Sequence, residues 1–457
     1  MTPDSPTTTR DARRTRLLAL AVLVVLVGAV FFGIHNRKYL HEIASSDFAI
    51  NRAGAQQLLD RDSLYDREAE RARLFAEADD VGPAERAAMA TAFTDTYSSF
   101  IGSPPVALVH VPWAHVEYGT ALATFRGVEA LAMVAAVAIT GFAVRREDRA
   151  FAWLVGVAAL LLFFPVVSSL GLGQIDGLVM LALAVALWAS TRERWRTVGA
   201  ALAVAALLKV SPILLLVFMV LRVRRGRTGM LVGGAAAAGG LLAVSALVGR
   251  AGDLATWVRD VVPSLSSGNR TVENQSLPAF LHRLLAGGDD IVRTTTSLGG
   301  LRYVGIVGGA VGVLALWWWR RDRPYDPLEL GAVVLIALLA APVSWAHYLS
   351  WAILPLMLLA GPERLVGSRA RVATLAGLLV LATALMALPV RFPSPEEVAA
   401  HPWTRLYSGA GTLAVLVYLV VAVLELAPER SPSGAPEPSP RAAPALGVGA
   451  AGARELA

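Results

Sequence analysis

Six short stretches of this 457-residue chain carry side chains of the kinds that move protons and hold anions. The first is Ser45-Ser46-Asp47-Phe48, with Arg52 and Tyr65 following, and the second is Gly102-Ser103-Pro104-Pro105. Next come Gly171-Leu172-Gly173-Gln174-Ile175-Asp176 and Leu208-Lys209-Val210-Ser211-Pro212. The last two are Asn274-Gln275-Ser276-Leu277, followed by His282-Arg283, and Pro342-Val343-Ser344-Trp345-Ala346-His347. Isolated carboxylates, a few cations and interleaved aromatics suit a displacement that uses a single base. If the leaving group is a phosphate, itself a weak base, no general acid is needed. One carboxylate takes the proton of an incoming hydroxyl, and cations stabilise the charge developing on the phosphate. Asp47 is the natural base, and Lys209, Arg283 and His347 are candidate phosphate contacts, with Gln174 and Asn274 beside them. Arg52, Tyr65, His282 and Trp345 remain for acceptor binding or support.

Each of these has a plain alternative. Asp47 would serve equally as a helix N-cap or a solvated loop carboxylate, and Gln174 and Asp176 as caps of the apolar run that follows them. His347 would sit at a membrane interface between Trp345 and Trp351. Lys209 could snorkel, although an ionisable group inside an apolar stretch is costly and functional by default. Asp60-Arg61-Asp62 has the spacing of some metal-binding carboxylate pairs, but its charged surroundings read as a solvated helix end. There is no phosphate-binding glycine loop, no dinucleotide fingerprint and no His-Glu-x-x-His zinc motif. The seven histidines do not pair at ligand spacing; His110 and His115 fall off a common helix face. No metal or cofactor is expected.

The elements that must position these residues are membrane helices. Hydrophobic residues make up 55% of the chain and charged ones 17%, with no cysteine, and the mean hydropathy is +0.56. Soluble chains are usually about 45–50% apolar and about 25% charged. A soluble enzyme, a disulfide-stapled domain and a Cys-ligated metal protein are excluded. The net charge of +6 reads as topogenic rather than nucleic-acid-binding, because the arginines cluster between apolar runs. Those runs cover 17–34, 118–143, 150–167, 174–190, 198–221, 228–248, 301–319, 327–341, 347–361, 371–389 and 406–426. A span needs about 20 apolar residues. The first run follows Arg10, Arg13, Arg14 and Arg16 and reads as an uncleaved anchor with a cytoplasmic N-terminus. Alternate threading then places Arg145 to Arg149, Arg192 to Arg196, Arg320 to Arg323 and Arg364 to Arg371 in the cytoplasm. The 198–221 run has arginines at both ends and Pro212 in its middle, so it is expected to be a re-entrant hairpin. The expectation is therefore an all-α polytopic protein of the cell membrane. It has about ten crossings plus the hairpin, with both termini inside and outer loops at 35–117 and 250–300 containing amphipathic helices such as 66–75. The transmembrane domain spans 16–427, and residues 1–15 and 428–457 are too polar or too rich in Pro, Ser, Gly and Ala to bury a core.

The order of these motifs resembles glycosyltransferase family 87, membrane enzymes of the GT-C type. The residues that carry the resemblance are Ser46-Asp47-Phe48, Leu64-Tyr65, Pro104-Pro105 and Gly173-Gln174. Beyond them come Lys209-Val210-Ser211-Pro212, Asn274-Gln275-Ser276-Leu277 with Arg283, and Ser344-Trp345-Ala346-His347. The resemblance implies a GT-C fold, a polyprenyl-phosphate-sugar donor, an extracytoplasmic site, Asp47 as catalytic aspartate and no metal requirement. The expected reaction is inverting transfer of mannose to a glycolipid or glycan acceptor. Arabinofuranose is the alternative sugar, and a lipid-linked-saccharide transporter or flippase is the alternative of another class. The absence of a convincing internal repeat, and the gathering of polar groups at outer loops, favour chemistry over transport.

Overall fold

The computed structural model describes residues 46–78, 99–285, 297–360, 369–389 and 403–427, residues 397 and 401, and parts of 19–34. Residues 1–15, the middle of the first outer loop and the tail from 428 lie outside the described residues. The chain up to Leu426 forms one compact unit.

Among the described residues the regular structure is helical, without strands beyond one isolated bridge between Asn274 and Trp345. Two helices precede the first long apolar helix, α1 (Ser46–Asp60) and α2 (Arg67–Ala78), and α3 (Pro104–His110) follows. Then come α4 (Tyr118–Gly141), α5 (Arg149–Leu162), α6 (Phe164–Leu172), α7 (Asp176–Ser190), α8 (Trp195–Leu208), α9 (Ile213–Arg222) and α10 (Arg227–Val248). After the 250–300 segment, which contains α11 (Leu277–Leu285), the chain continues through α12 (Arg302–Arg320) and α13 (Pro327–Ala340). A 3-10 helix (Ala346–Ala352) leads into α14 (Ile353–Leu359), and α15 (Arg369–Ala387) and α16 (Ala410–Leu426) complete the bundle.

The apolar runs become helices as expected, but two of them are broken besides the 198–221 run, whose break is expected. The 150–167 run bends by 58° between α5 and α6, where Phe163 is extended and Pro165, with no N–H to give the preceding turn, occupies the first turn of α6. The 347–361 run opens as a 3-10 helix and only its second half is α-helical. Among the described residues three helices are long and apolar enough to cross a membrane, or four with α5–α6 taken as one span. The other apolar helices have 10–17 residues, so helix length does not reproduce about ten full crossings.

The 198–221 run does break at Lys209–Pro212, between α8 and α9. The two ends of this broken element lie together. A Cβ on Gly226 would meet the Trp195 ring at 2.3 Å, so the chain entering α8 packs on the chain leaving α9. Arg222 Nε donates to Glu329 at 2.6 Å and Arg320 Nε to the same carboxylate at 3.1 Å. Tyr325 donates to Ser190 Oγ at 3.1 Å, and Arg320 reaches the carbonyl of Leu426. One end of the bundle thus collects the arginine clusters of several loops.

At the centre stands α13, with every residue from Leu328 to Ala340 buried. Its start is fixed by a capping box: Asp326 accepts from Leu328 N while Glu329 accepts from Asp326 N. The periphery is apolar instead of polar. Leu231 and Leu247 on α10, Val311 and Trp318 on α12, and Val380 on α15 are exposed, the surface of a membrane protein.

Candidate active site

The site is built at the end of the bundle opposite the arginine clusters, where four chain breaks meet. The first is the start of α1. Phe48 is fully buried against Phe125, Tyr118 and His110, at centroid distances of 5.2, 5.7 and 6.1 Å. That anchor leaves the preceding Asp47 half-buried at the helix entry. Burial of His110 beneath the same aromatics pushes its pKa down to about 4, so it packs there as a neutral ring.

The second break is the α6–α7 turn. Gly173 ends α6 in the left-handed conformation (φ 70°), and a Cβ there would lie 2.5 Å from that of Phe48. Glycine therefore meets a conformational and a steric demand at once, and it brings Gln174 against α1. Gln174 Nε2 donates to Asp47 Oδ2 at 2.5 Å.

The third is the α8–α9 break, which frees Lys209 from helical register. Its Nζ donates to Gln174 Oε1 at 2.8 Å, stands 3.8 Å from Asp176 Oδ1 and lies 4.0 Å from the Tyr348 ring centroid. The fourth is the loop before the 3-10 helix. His347 Nε2 approaches Asp176 Oδ2 at 3.9 Å, while Tyr348 stacks on Trp351. Residues 47, 174, 209 and 347, read as site candidates from sequence, are thus brought into one connected group.

Other candidates are placed around this group. The Asn274 and His347 motifs are paired through their backbones: Gln275 N donates to Ser344 O at 2.7 Å and Ala346 N to Glu273 O at 2.8 Å. Asn274 is fully buried; its amide donates to the carbonyls of Asn269 and Pro342, and its oxygen accepts from Ser276 N and Ser344 N. Arg283 is equally buried and gives its guanidinium to Thr271 O, Asn274 O and Ser408. These two frame the 269–283 segment, and their hydrogen bonds run to the chain itself rather than to the Lys209 group. Arg52 binds the carbonyls of Trp113 and Val116 at 2.9 and 2.7 Å, and Tyr65 donates to Gly102 O at 2.9 Å; both act as supports of the α1–α3 layer. His282 and Trp345 lie half-buried on the segments that carry those two motifs.

Two carboxylates join the site that sequence did not single out for it. Asp176 begins α7 as a cap would, yet its side chain is fully buried and accepts from Ser169 Oγ at 3.1 Å. Glu129, inside α4, accepts from Gly177 N at 2.6 Å and so clamps the first turn of α7. An acidic residue in the middle of an apolar run was the available signal for Glu129. Among the described residues no three His, Asp or Glu side chains are grouped to hold a metal ion.

Fold and site together define a helical membrane protein with a hydrogen-bonded chain of polar side chains at one end. The family model of glycosyltransferase family 87 matches residues 100–344. The chain belongs to glycosyltransferase family 87. Two proteins of Mycobacterium tuberculosis are similar to it. A polyprenol-phosphate-mannose-dependent alpha-(1-2)-phosphatidylinositol mannoside mannosyltransferase is 28% identical over 59% of this chain and 60% of its own length. A polyprenol-phosphate-mannose-dependent alpha-(1-2)-phosphatidylinositol pentamannoside mannosyltransferase is 30% identical over 72% of each chain. The match therefore spans less than two thirds of the first relative.

Proposed function

We propose that the protein is a membrane mannosyltransferase that uses polyprenyl-phosphate-mannose as donor and a glycolipid as acceptor. The observation that carries this reading is the chain Asp47–Gln174–Lys209, which joins a half-buried carboxylate to an ammonium through one amide. In the proposed step the acceptor hydroxyl gives its proton to Asp47 as its oxygen bonds the anomeric carbon. The bond from that carbon to the phosphate oxygen breaks, and the electron pair leaves with the polyprenyl phosphate. Lys209 stabilises the negative charge so formed. One displacement without a covalent intermediate inverts the anomeric centre. The reaction runs without a metal, since the leaving phosphate needs no activation by an acid.

The proposed setting is a GT-C fold of about ten crossings with the α8–α9 element as a re-entrant hairpin. Both termini face the cytoplasm and the site faces outward. The proximity of Trp195 to Gly226, and the gathering of basic loops at the opposite end, support this topology. The donor and acceptor named for the two mycobacterial relatives support the substrates.

The test is transfer from radiolabelled polyprenyl-phosphate-mannose to extracted envelope lipids by the full-length protein, with and without EDTA, alongside Asp47→Asn. Labelled product from the wild type alone, unaffected by EDTA, is expected. Product with polyprenyl-phosphate-arabinofuranose instead would change the sugar, and equal turnover by Asp47→Asn would remove Asp47 as the base.

A further inference from the structure

Only two lysines occur in the chain, Lys38 and Lys209; every other basic side chain counted with them is arginine. The two side chains differ in ways that matter at this position. An ammonium is a compact point charge with three donors and no acceptor, whereas a guanidinium is a planar fork. Lys209 can therefore only donate to Gln174, so the amide oxygen of Gln174 must face it and the amide nitrogen must face Asp47. The orientation of one side chain dictates that of the next.

Behind Lys209 stands Asp176. Its Oδ2 is tethered by Ser169 Oγ at 3.1 Å, while its buried Oδ1 has no hydrogen-bond partner and lies 3.8 Å from Nζ. A carboxylate serving only as a helix cap would close its own helix's first turn. Here Glu129, from α4, takes the Gly177 N–H instead, and Asp176 is left to face the lysine. The charged and titratable groups around Lys209 are Asp47 from α1, Glu129 from α4, Asp176 from α7, and His347 and Tyr348 from the 3-10 helix.

We propose that Asp176 is a positioning residue that holds the Lys209 ammonium against Gln174 and, through that amide, aims the Asp47 carboxylate for proton abstraction. The last link rests on the reading of Asp47 as base. The first link does not, and it is tested separately.

Competitive acetylation across pH, read by peptide mass spectrometry on the full-length protein in detergent, follows Lys209 with Lys38 as internal standard. Asp176→Asn should lower the Lys209 titration by about one pH unit or more and leave Lys38 unmoved. In the transfer assay the same variant should lose about 100-fold in kcat with little change in donor KM. Asp176→Glu should recover part of that loss, and Gln174→Glu should move the acid limb of the pH–rate profile upward by placing a second carboxylate beside Asp47. An unmoved Lys209 titration in a folded Asp176→Asn protein would overturn the proposal, as would a rise in KM with kcat unchanged. If the wild type does not use the mannosyl donor, the function reading fails, while the lysine titration still decides the Asp176–Lys209 link.

Discussion

Each end of the bundle buries a carboxylate beside basic side chains, and the two clusters are assembled differently. Glu329 is closed: Arg222 binds both of its oxygens at 2.6 and 3.1 Å, Arg320 binds at 3.1 Å, and one oxygen also caps α13. Asp176 is open: its lysine and histidine neighbours stand at 3.8 and 3.9 Å, and a hydroxyl is its close partner. Short hydrogen bonds satisfy both oxygens of Glu329, and arginine suits it because the planar fork matches a carboxylate. Asp176 leaves slack around a lysine, which gives that ammonium room to serve an additional anion. Separation of charge from saturation is what distinguishes the end proposed to carry the chemistry from the fastened end.

The sharpest break of this contrast is at Asp47. Asp47→Asn should reduce transfer by about 10²–10⁴-fold, the usual contribution of a general base, with thermal unfolding unchanged. The reverse pattern is expected at the fastened end. Glu329→Ala leaves two buried guanidinium groups unpaired and should cost about 3–5 kcal/mol in unfolding free energy. Protein that remains folded should turn over normally; a specific loss of kcat there would erase the distinction between the ends. Gly173→Ala lies between the two kinds of effect. The left-handed backbone disfavours alanine by about 1–2 kcal/mol, and the new methyl would push Phe48 and, with it, Asp47. Both Tm and kcat should fall together.

The smallest effect concerns a carboxylate with neither role. Glu70 on α2 is buried and accepts from Phe100 N at 2.7 Å; burial outweighs that bond and pushes its pKa up to about 7. Because the folded value lies above the ordinary 4.5, the contribution is full below pH about 4.5 and is lost as pH rises through about 7. The unfolding free energy should therefore fall over that window in the wild type, and the fall should be absent in Glu70→Gln.

Much of this was legible in sequence because ionisable groups beside apolar runs are few. Asp47, Gln174, Lys209 and His347 could be singled out one by one, and the break at Pro212 followed from proline chemistry. Their linkage could not be read, since it depends on which breaks meet at one end of the bundle. Asp176 looked like a cap because it opens an apolar helix, and only its burial beside Lys209 tells otherwise. Glu129 was hidden inside a run whose average hydropathy is high. Arg283 and Asn274 stood out by type, but type does not reveal that their donors are spent on backbone carbonyls and the Ser408 hydroxyl. The bend at Phe163 was missed for the opposite reason: the run is apolar throughout, and hydropathy is blind to direction.

The backbone pairing of residues 273–275 with 344–346 also sets a timetable. Asp176 and Lys209 leave the ribosome 33 residues apart, but His347 is made 300 residues after Asp47. At about 5–20 residues per second, the aspartate waits some tens of seconds for its last neighbour. Any truncation before residue 344 would therefore remove one side of this pairing, so the 273–275 segment stays unlatched until α13 has been made.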